Sequence, residues 1–198
     1  MSSKTKLISK NYQPQRKIKT NRVHIDDRLA ISTLKQIISY QLSTLYSATQ
    51  TLIIFCIGTD RSTGDALGPL VGSKLNKFNL DDRIKVYGTL ENPIHATNME
   101  ENIATINSKY KEPLIIAIDA GLGKSKSVGS IEVNSGPLQP GSGVNKSLPE
   151  VGDLHITGLV NIGGYMEYFV LQSTRLSLVV KMAKIIAYSL FNSFHSNS

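Results

Sequence analysis

The sequence predicts an α/β fold: a three-layer sandwich, with a mostly parallel sheet carrying helices on both faces. Three observations carry this. Short apolar runs at residues 52–57, 84–87 and 114–118 alternate with longer stretches whose apolar residues recur at helical spacing. The runs at 52–57 and 114–118 are apolar at every position, as in strands buried on both faces. The connections between them are long enough for helical crossovers, and right-handed crossovers lay helices against the sheet.

The elements follow in order. Residues 1–24 are polar and charged with no apolar period and read as a disordered basic tail; one α/β domain follows over 25–192. Asp26 or Asp27 can cap a first helix, on which Leu34, Ile37, Ile38, Leu42 and Leu45 share a face, ending near Thr49. The first strand, 52–57, runs into a glycine-bearing loop at 58–64. A helix marked by Leu67, Leu70, Val71, Leu75 and Phe78 comes next, and Pro69 is tolerated in its first turn. Residues 84–87 form a second strand. Thr97 with Glu100 has the spacing of a capping box, opening a helix through Met99, Ile103, Ile106 and Tyr110. Pro113 stops it, and 114–118 is the third strand. From 121 to 149 the chain is rich in Gly, Ser and Pro, broken by a short strand at 130–134; residues 155–160 suggest another. The final helix starts near Ser173 or Thr174, with Leu176, Val179, Val180, Ala183, Ile186, Ala187 and Leu190 on its apolar face.

Composition bounds the function. The 198 residues suffice for one domain with a sizeable core, and 40% apolar content suits a globular chain. The longest unbroken apolar run, 52–57, is far short of a membrane span, and no apolar stretch follows the basic first residues as a secretory signal requires. Cys56 is the one cysteine, so no intrachain disulfide can form, which suits a reducing interior and a cytoplasmic location. The net charge of +7 belongs to the tail: Lys4, Lys6, Lys10, Arg16, Lys17, Lys19 and Arg22 stand there without an acid. A nucleic-acid-binding domain places such charge on its folded surface. Nucleic acid is therefore an expected partner only through the tail.

In open parallel sheets ligands bind beyond the carboxyl ends of the strands. Two segments leave strands there with unusual content: 58–65, containing Gly58, Thr59, Asp60, Gly64 and Asp65, and 119–123, containing Asp119 and Gly121. If the first and third strands are neighbours, in a 2-1-3 order, Asp65 and Asp119 face one crevice. Two carboxylates in reach of each other share a proton, and such a pair can activate water and protonate a leaving amine. Paired acids also bind metals, with a histidine as a third ligand. Each acid has a structural alternative: Asp65 beside a helix start, Asp119 bonding its own backbone. His95, after the second strand, lies on the same edge, and His155 opens a strand. The loop lacks the lysine of a phosphate-binding G-x-x-x-x-G-K-[ST] pattern, and no G-x-S-x-G serine elbow is present.

Gly58-Thr-Asp-Arg-Ser-Thr-Gly-Asp-Ala-Leu-Gly-Pro69 resembles the first acid motif of the germination protease of spore-forming bacteria, Ile118-Asp-Ala120 its second, and Pro140-Gly-Ser-Gly-Val-Asn-Lys146 its later glycine-rich segment. Val86-Tyr-Gly-Thr-Leu90, Val151-Gly-Asp153 and Gly164-Tyr-Met-Glu167 are similar to a shorter group, the YyaC-type spore-protease-like sporulation proteins. The glycine loop and strand-end acid are more distantly similar to the hydrogenase-maturation endopeptidases. These resemblances imply a phosphorylase/hydrolase-like α/β sheet and an aspartate-dependent endopeptidase of sporulation or germination. Its catalytic acids would be Asp65 and Asp119, and it would carry no cofactor. Gly58, Thr59, Asp60, Gly64, Gly121, His95 and His155 would line the substrate site. The backbone amides of Gly58, Gly64 or Gly121 would serve a developing oxyanion. The substrate would be a protein or peptide, a spore protein by the resemblance, met in the cytoplasm of the mother cell or forespore. In the hydrogenase-maturation enzymes a later histidine joins two acids on a metal, and His155 is the matching position. A non-catalytic binding protein of the same fold and a metal-dependent small-molecule hydrolase are the alternatives.

Overall fold

The computed structural model describes residues 20–47, 49–141 and 148–195. Its elements are β1 (Arg22–His24), α1 (Ala30–Leu45), β2 (Leu52–Cys56), α2 (Leu67–Leu75), β3 (Ile84–Tyr87), α3 (Met99–Lys109), β4 (Leu114–Gly123), β5 (Ser130–Ser135), β6 (Leu154–Ile162), α4 (Glu167–Gln172) and α5 (Leu176–Phe194). The strands form one six-stranded sheet in the order β1-β5-β6-β4-β2-β3. The pairs β2–β3, β2–β4 and β4–β6 are parallel, and β5 and β1 extend that sheet antiparallel. The three strands expected in a 2-1-3 order stand in it, as β3-β2-β4.

The sheet separates two apolar layers. On one face Leu52, Ile54, Cys56, Ile116, Ile118, Ile156 and Val160 pack against α1, α2 and α5. On the other, Ile53, Phe55, Ile57 and Ala117 meet Met99 and Ile106 of α3 and Val151. This is the three-layer sandwich, and it explains the unbroken apolar runs: β2 is buried at every position. By length and composition α5 is apolar enough to cross a bilayer, yet it lines the larger core with Val179, Met182, Ile186 and Leu190.

Helix α2 approaches the sheet closely at its two glycines. A methyl on Gly68 would stand 2.1 Å from the Ile57 carbonyl oxygen, and one on Gly72 1.9 Å from that of Gly88. No side chain fits, so the helix rides directly on the ends of β2 and β3 and holds the loop between them.

Several expectations are corrected. Residues 22–24, assigned to the tail, form β1: Val23 is buried and Arg22 pairs with Glu132, so the ordered region starts before residue 25. Residues 1–19 of that tail lie outside the described residues. Helix α1 ends at Leu45 rather than near Thr49, because the Ser43 and Thr44 hydroxyls donate back to the Tyr40 and Gln41 carbonyls and Tyr46 is extended. Asp27 does not cap α1; its carboxylate accepts from the Leu29 amide in the turn before it. The Thr97/Glu100 capping box does not form. Asn98 is the N-cap of α3, and its side chain accepts from the His95 amide and donates to the Pro93 carbonyl.

Candidate active site

Asp65 lies in the turn that enters α2. The chain can reverse there because Gly58 adopts φ +143°, where a side chain is strained, and because a methyl on it would meet the Asp65 carbonyl oxygen at 1.9 Å. The Thr59 amide donates to that oxygen at 3.2 Å. The other end of the loop is clamped by α4: the Gly64 amide donates to the Leu171 carbonyl at 2.9 Å, and a methyl on Gly64 would stand 2.8 Å from the Leu171 side chain. Asp65 is thus fixed between two glycine contacts, half-buried at the sheet's carboxyl edge.

Asp119 is held differently. The segment 119–123 is not the loop expected from its glycines but the second half of β4, paired with β6 through Asp119↔Thr157, Ala120↔Gly158 and Gly121↔Leu159, with a register shift after Gly121. Strand alternation places Asp119 on the face of Ala117, the α3 side. Its carboxylate accepts the Ala120 amide at 2.8 Å.

The environment separates the two acids. Burial pushes the Asp119 carboxyl up to about 8; the Ala120 amide opposes this and the nearby Asp65 charge adds to it. The loop from β2 that carries Asp65 and the end of β4 that carries Asp119 leave adjacent parallel strands at the same edge of the sheet. Asp119 still keeps some solvent access. Burial also raises Asp65, tempered by the Ser62 hydroxyl beside it. Ser62 is itself buried, 5% exposed, and its Oγ closes no hydrogen bond of good geometry. Burial therefore favours the neutral form of both carboxyls.

The structural alternatives fare unequally. Asp65 makes no capping bond to α2, whose N-cap is Ala66. Asp119 does bond its neighbour's amide, but within a strand, where an acid serves no turn.

The remaining candidates are distributed around this pair. Asp60 and Arg61 are exposed on the loop, and Thr59 Oγ1 accepts the Arg61 amide. The amides of Gly58 and Gly64 are not available to an oxyanion: the first is donated to the Ile94 carbonyl at 2.7 Å and the second to Leu171. Gly121 lies in the β4–β6 ladder, where a methyl would meet Thr157 at 2.7 Å. His95 stands beside the Gly58 loop, its Nδ1 bonded to the Thr97 hydroxyl at 2.9 Å. His155 pairs with Ala117, one pleat short of Asp119, and its Nδ1 is bonded to the Gly136 carbonyl. Among the described residues no three His, Cys, Asp or Glu side chains come together as a metal-ligating group, so His155 does not complete a set with the two acids. The glycine-rich match over 140–146 lies outside the described residues from 142 onward. The polar composition of the glycine loop predicts an exposed Ser62, but the structure buries it, while the pairing of Thr157 with Asp119 and the α4 clamp at Leu171 carried no sequence signal.

Comparison with known proteins is consistent with these limits. The family model described as "Protein of unknown function (DUF1256)" matches residues 22–189, from the start of β1 into α5. The uncharacterized protein YyaC of Bacillus subtilis (strain 168) is 52% identical over 180 residues, covering 90% of this chain and 85% of that protein. Among solved structures, the [NiFe] hydrogenase maturation protease HycI from Thermococcus kodakarensis KOD1 is similar at 16% identity with a TM-score of 0.49, covering 79% of this chain and 99% of that one. The chain belongs to the DUF1256 family.

Proposed function

We propose that the chain is an aspartate-dependent hydrolase of peptide bonds, with Asp65 as the base and Asp119 as the acid. What supports this is a carboxyl fixed on β4 and pushed up to about 8 by burial, with a second half-buried carboxyl, Asp65, on the loop that leaves the adjacent parallel strand β2. Two carboxyls with separated pKa values are the requirement for concerted acid–base work near pH 7. The ionised Asp65 removes a proton from water as its oxygen attacks the amide carbon. Protonated Asp119 gives its proton to the amine nitrogen as the C–N bond breaks. The products are a carboxylic acid and an amine, and the proton on Asp65 passes to Asp119 to restore the pair. No atom of the enzyme becomes bonded to the substrate.

The substrate class follows from the resemblance to the germination protease: a protein, and within that class a spore protein, inside the cell. The test uses purified full-length chain and a panel of spore proteins and peptides. Asp65→Asn and Asp119→Asn should each abolish cleavage with the far-UV spectrum and thermal transition retained. Undiminished turnover in either variant would remove the mechanism. Binding without cleavage, unchanged in the double variant, would instead mark a non-catalytic binding protein.

A further inference from the structure

We propose that the cavity beside the carboxyl end of β3 is a substrate subsite that takes an uncharged polar side chain, a carboxamide or hydroxyl, of a peptide. This rests on the hydrolase reading and names what that site selects. The cavity has a volume of about 510 Å³, within the roughly 300–1,000 Å³ of small-ligand sites. It is joined to the candidate active site by backbone: Ile57 pairs with Ile94, the Gly58 amide donates to the Ile94 carbonyl, and His95 follows in the wall. The wall thus adjoins the Gly58 loop through Ile94 and His95.

Its wall fixes the chemistry. Four carboxamides line it, those of Asn76, Asn92, Asn98 and Asn102. Asn98 is spent on its own loop. Asn102 Nδ2 donates to the Asn98 carbonyl, which leaves its Oδ1 as an acceptor. The Asn76 and Asn92 side chains bond no described residue and are exposed, so both offer a donor and an acceptor. No lysine or arginine is in the wall to pair with an anion. The single carboxylate, Glu91, is already held by the Ser73 and Thr89 hydroxyls and feels Lys77 from outside the wall, so a cation gains little. A set of free polar groups, the carboxamides of Asn76 and Asn92 and the Asn102 Oδ1, matches a guest that both donates and accepts. It penalises an apolar one, which would leave those groups unpaired.

Two measurements decide this. Nuclear magnetic resonance titration of the full chain uses N-acetyl-asparagine methylamide as probe, with the leucine and glutamate analogues as controls. The side-chain amide resonances of Asn76 and Asn92 should shift saturably with the asparagine probe alone. No shift, or equal response to leucine, would overturn the proposal. Peptide-library cleavage should then show preference for Asn, Gln, Ser or Thr at one position. Asn76→Leu or Asn102→Leu should cut kcat/KM for those peptides about tenfold through KM, the loss expected from one or two hydrogen bonds. Cleavage with no positional preference, or with a preference both variants retain, would also overturn the subsite. Absence of any cleavage would overturn the hydrolase reading and leave the probe titration to decide the cavity by itself.

Discussion

Replacing Asp119 by Asn should make the protein more stable at alkaline pH, and the size of the gain follows from its burial. Unfolded, the carboxyl releases its proton near 3.8; folded, it holds it to about 8. Between those values the folded chain carries one more proton than the unfolded chain, so stability falls as pH rises through the interval and levels off above it. Each pH unit costs about 1.4 kcal/mol, or about 4 kcal/mol between pH 5 and pH 8. The side chain keeps some solvent contact, which reduces the expected value to about 2–4 kcal/mol. Asn copies the protonated acid, and its Oδ1 still accepts the Ala120 amide, so the variant lacks only the titration. Urea unfolding of both proteins at pH 5, 6, 7 and 8 isolates the effect, because groups away from Asp119 and Asp65 titrate equally in the two. The stability difference should grow with pH in favour of the variant while its peptidase activity is absent. A difference that does not change with pH would show that Asp119 is not held neutral, and the acid–base assignment would fall with it.

Cleavage should follow a bell-shaped pH profile, with the acid limb set by a raised Asp65 and the alkaline limb near pH 8 as Asp119 loses its proton; activity that keeps rising above pH 9 would contradict the assignment. Gly68→Ala and Gly72→Ala should each destabilise the fold by about 3 kcal/mol or more in urea titrations, since the added methyl meets a carbonyl oxygen that only a shift of α2 can relieve. Val23→Ala should cost about 1–3 kcal/mol, because the residue is the buried centre of β1 rather than solvated in a tail. The Cys56 thiol, fully buried and pushed far above its ordinary pKa, should resist alkylation by iodoacetamide in the native protein and react on unfolding.

The parts of the fold legible in the sequence were those whose burial is complete. Strands β2 and β3 fall within a residue of their expected bounds, and the 2-1-3 neighbourhood of the central strands follows from their crossovers. The misses share a cause: each depends on a partner distant in sequence. Strand β1 has a single apolar residue, Val23, between Arg22 and His24, and becomes a strand only by pairing with β5. Helix α4 is six residues long and exposes Tyr168 and Phe169, so it has no apolar period; Leu171 docked on Gly64 defines it. The capping box had the right spacing, but Asn98 was better placed, its side chain already serving the loop before α3.

The largest miss bears on function. Asp-Ala-Gly-Leu-Gly after an apolar strand has the composition of a turn, yet it continues β4 because β6 supplies a partner along its length. Among the described residues Asp119 has no ion pair and only its neighbour's amide as a hydrogen-bond partner, and burial makes it expensive to ionise. A loop would let it swing into water and relieve that cost; the β4–β6 ladder forbids the escape. Asp65 is likewise denied a capping bond and fixed by the glycine contacts at Gly58 and Gly64. Local conflicts of this kind concentrate where a fold gives up stability for a site. Two of them at one edge of the sheet, on the end of β4 and on the loop leaving its neighbour β2, are what the proposed acid–base pair requires.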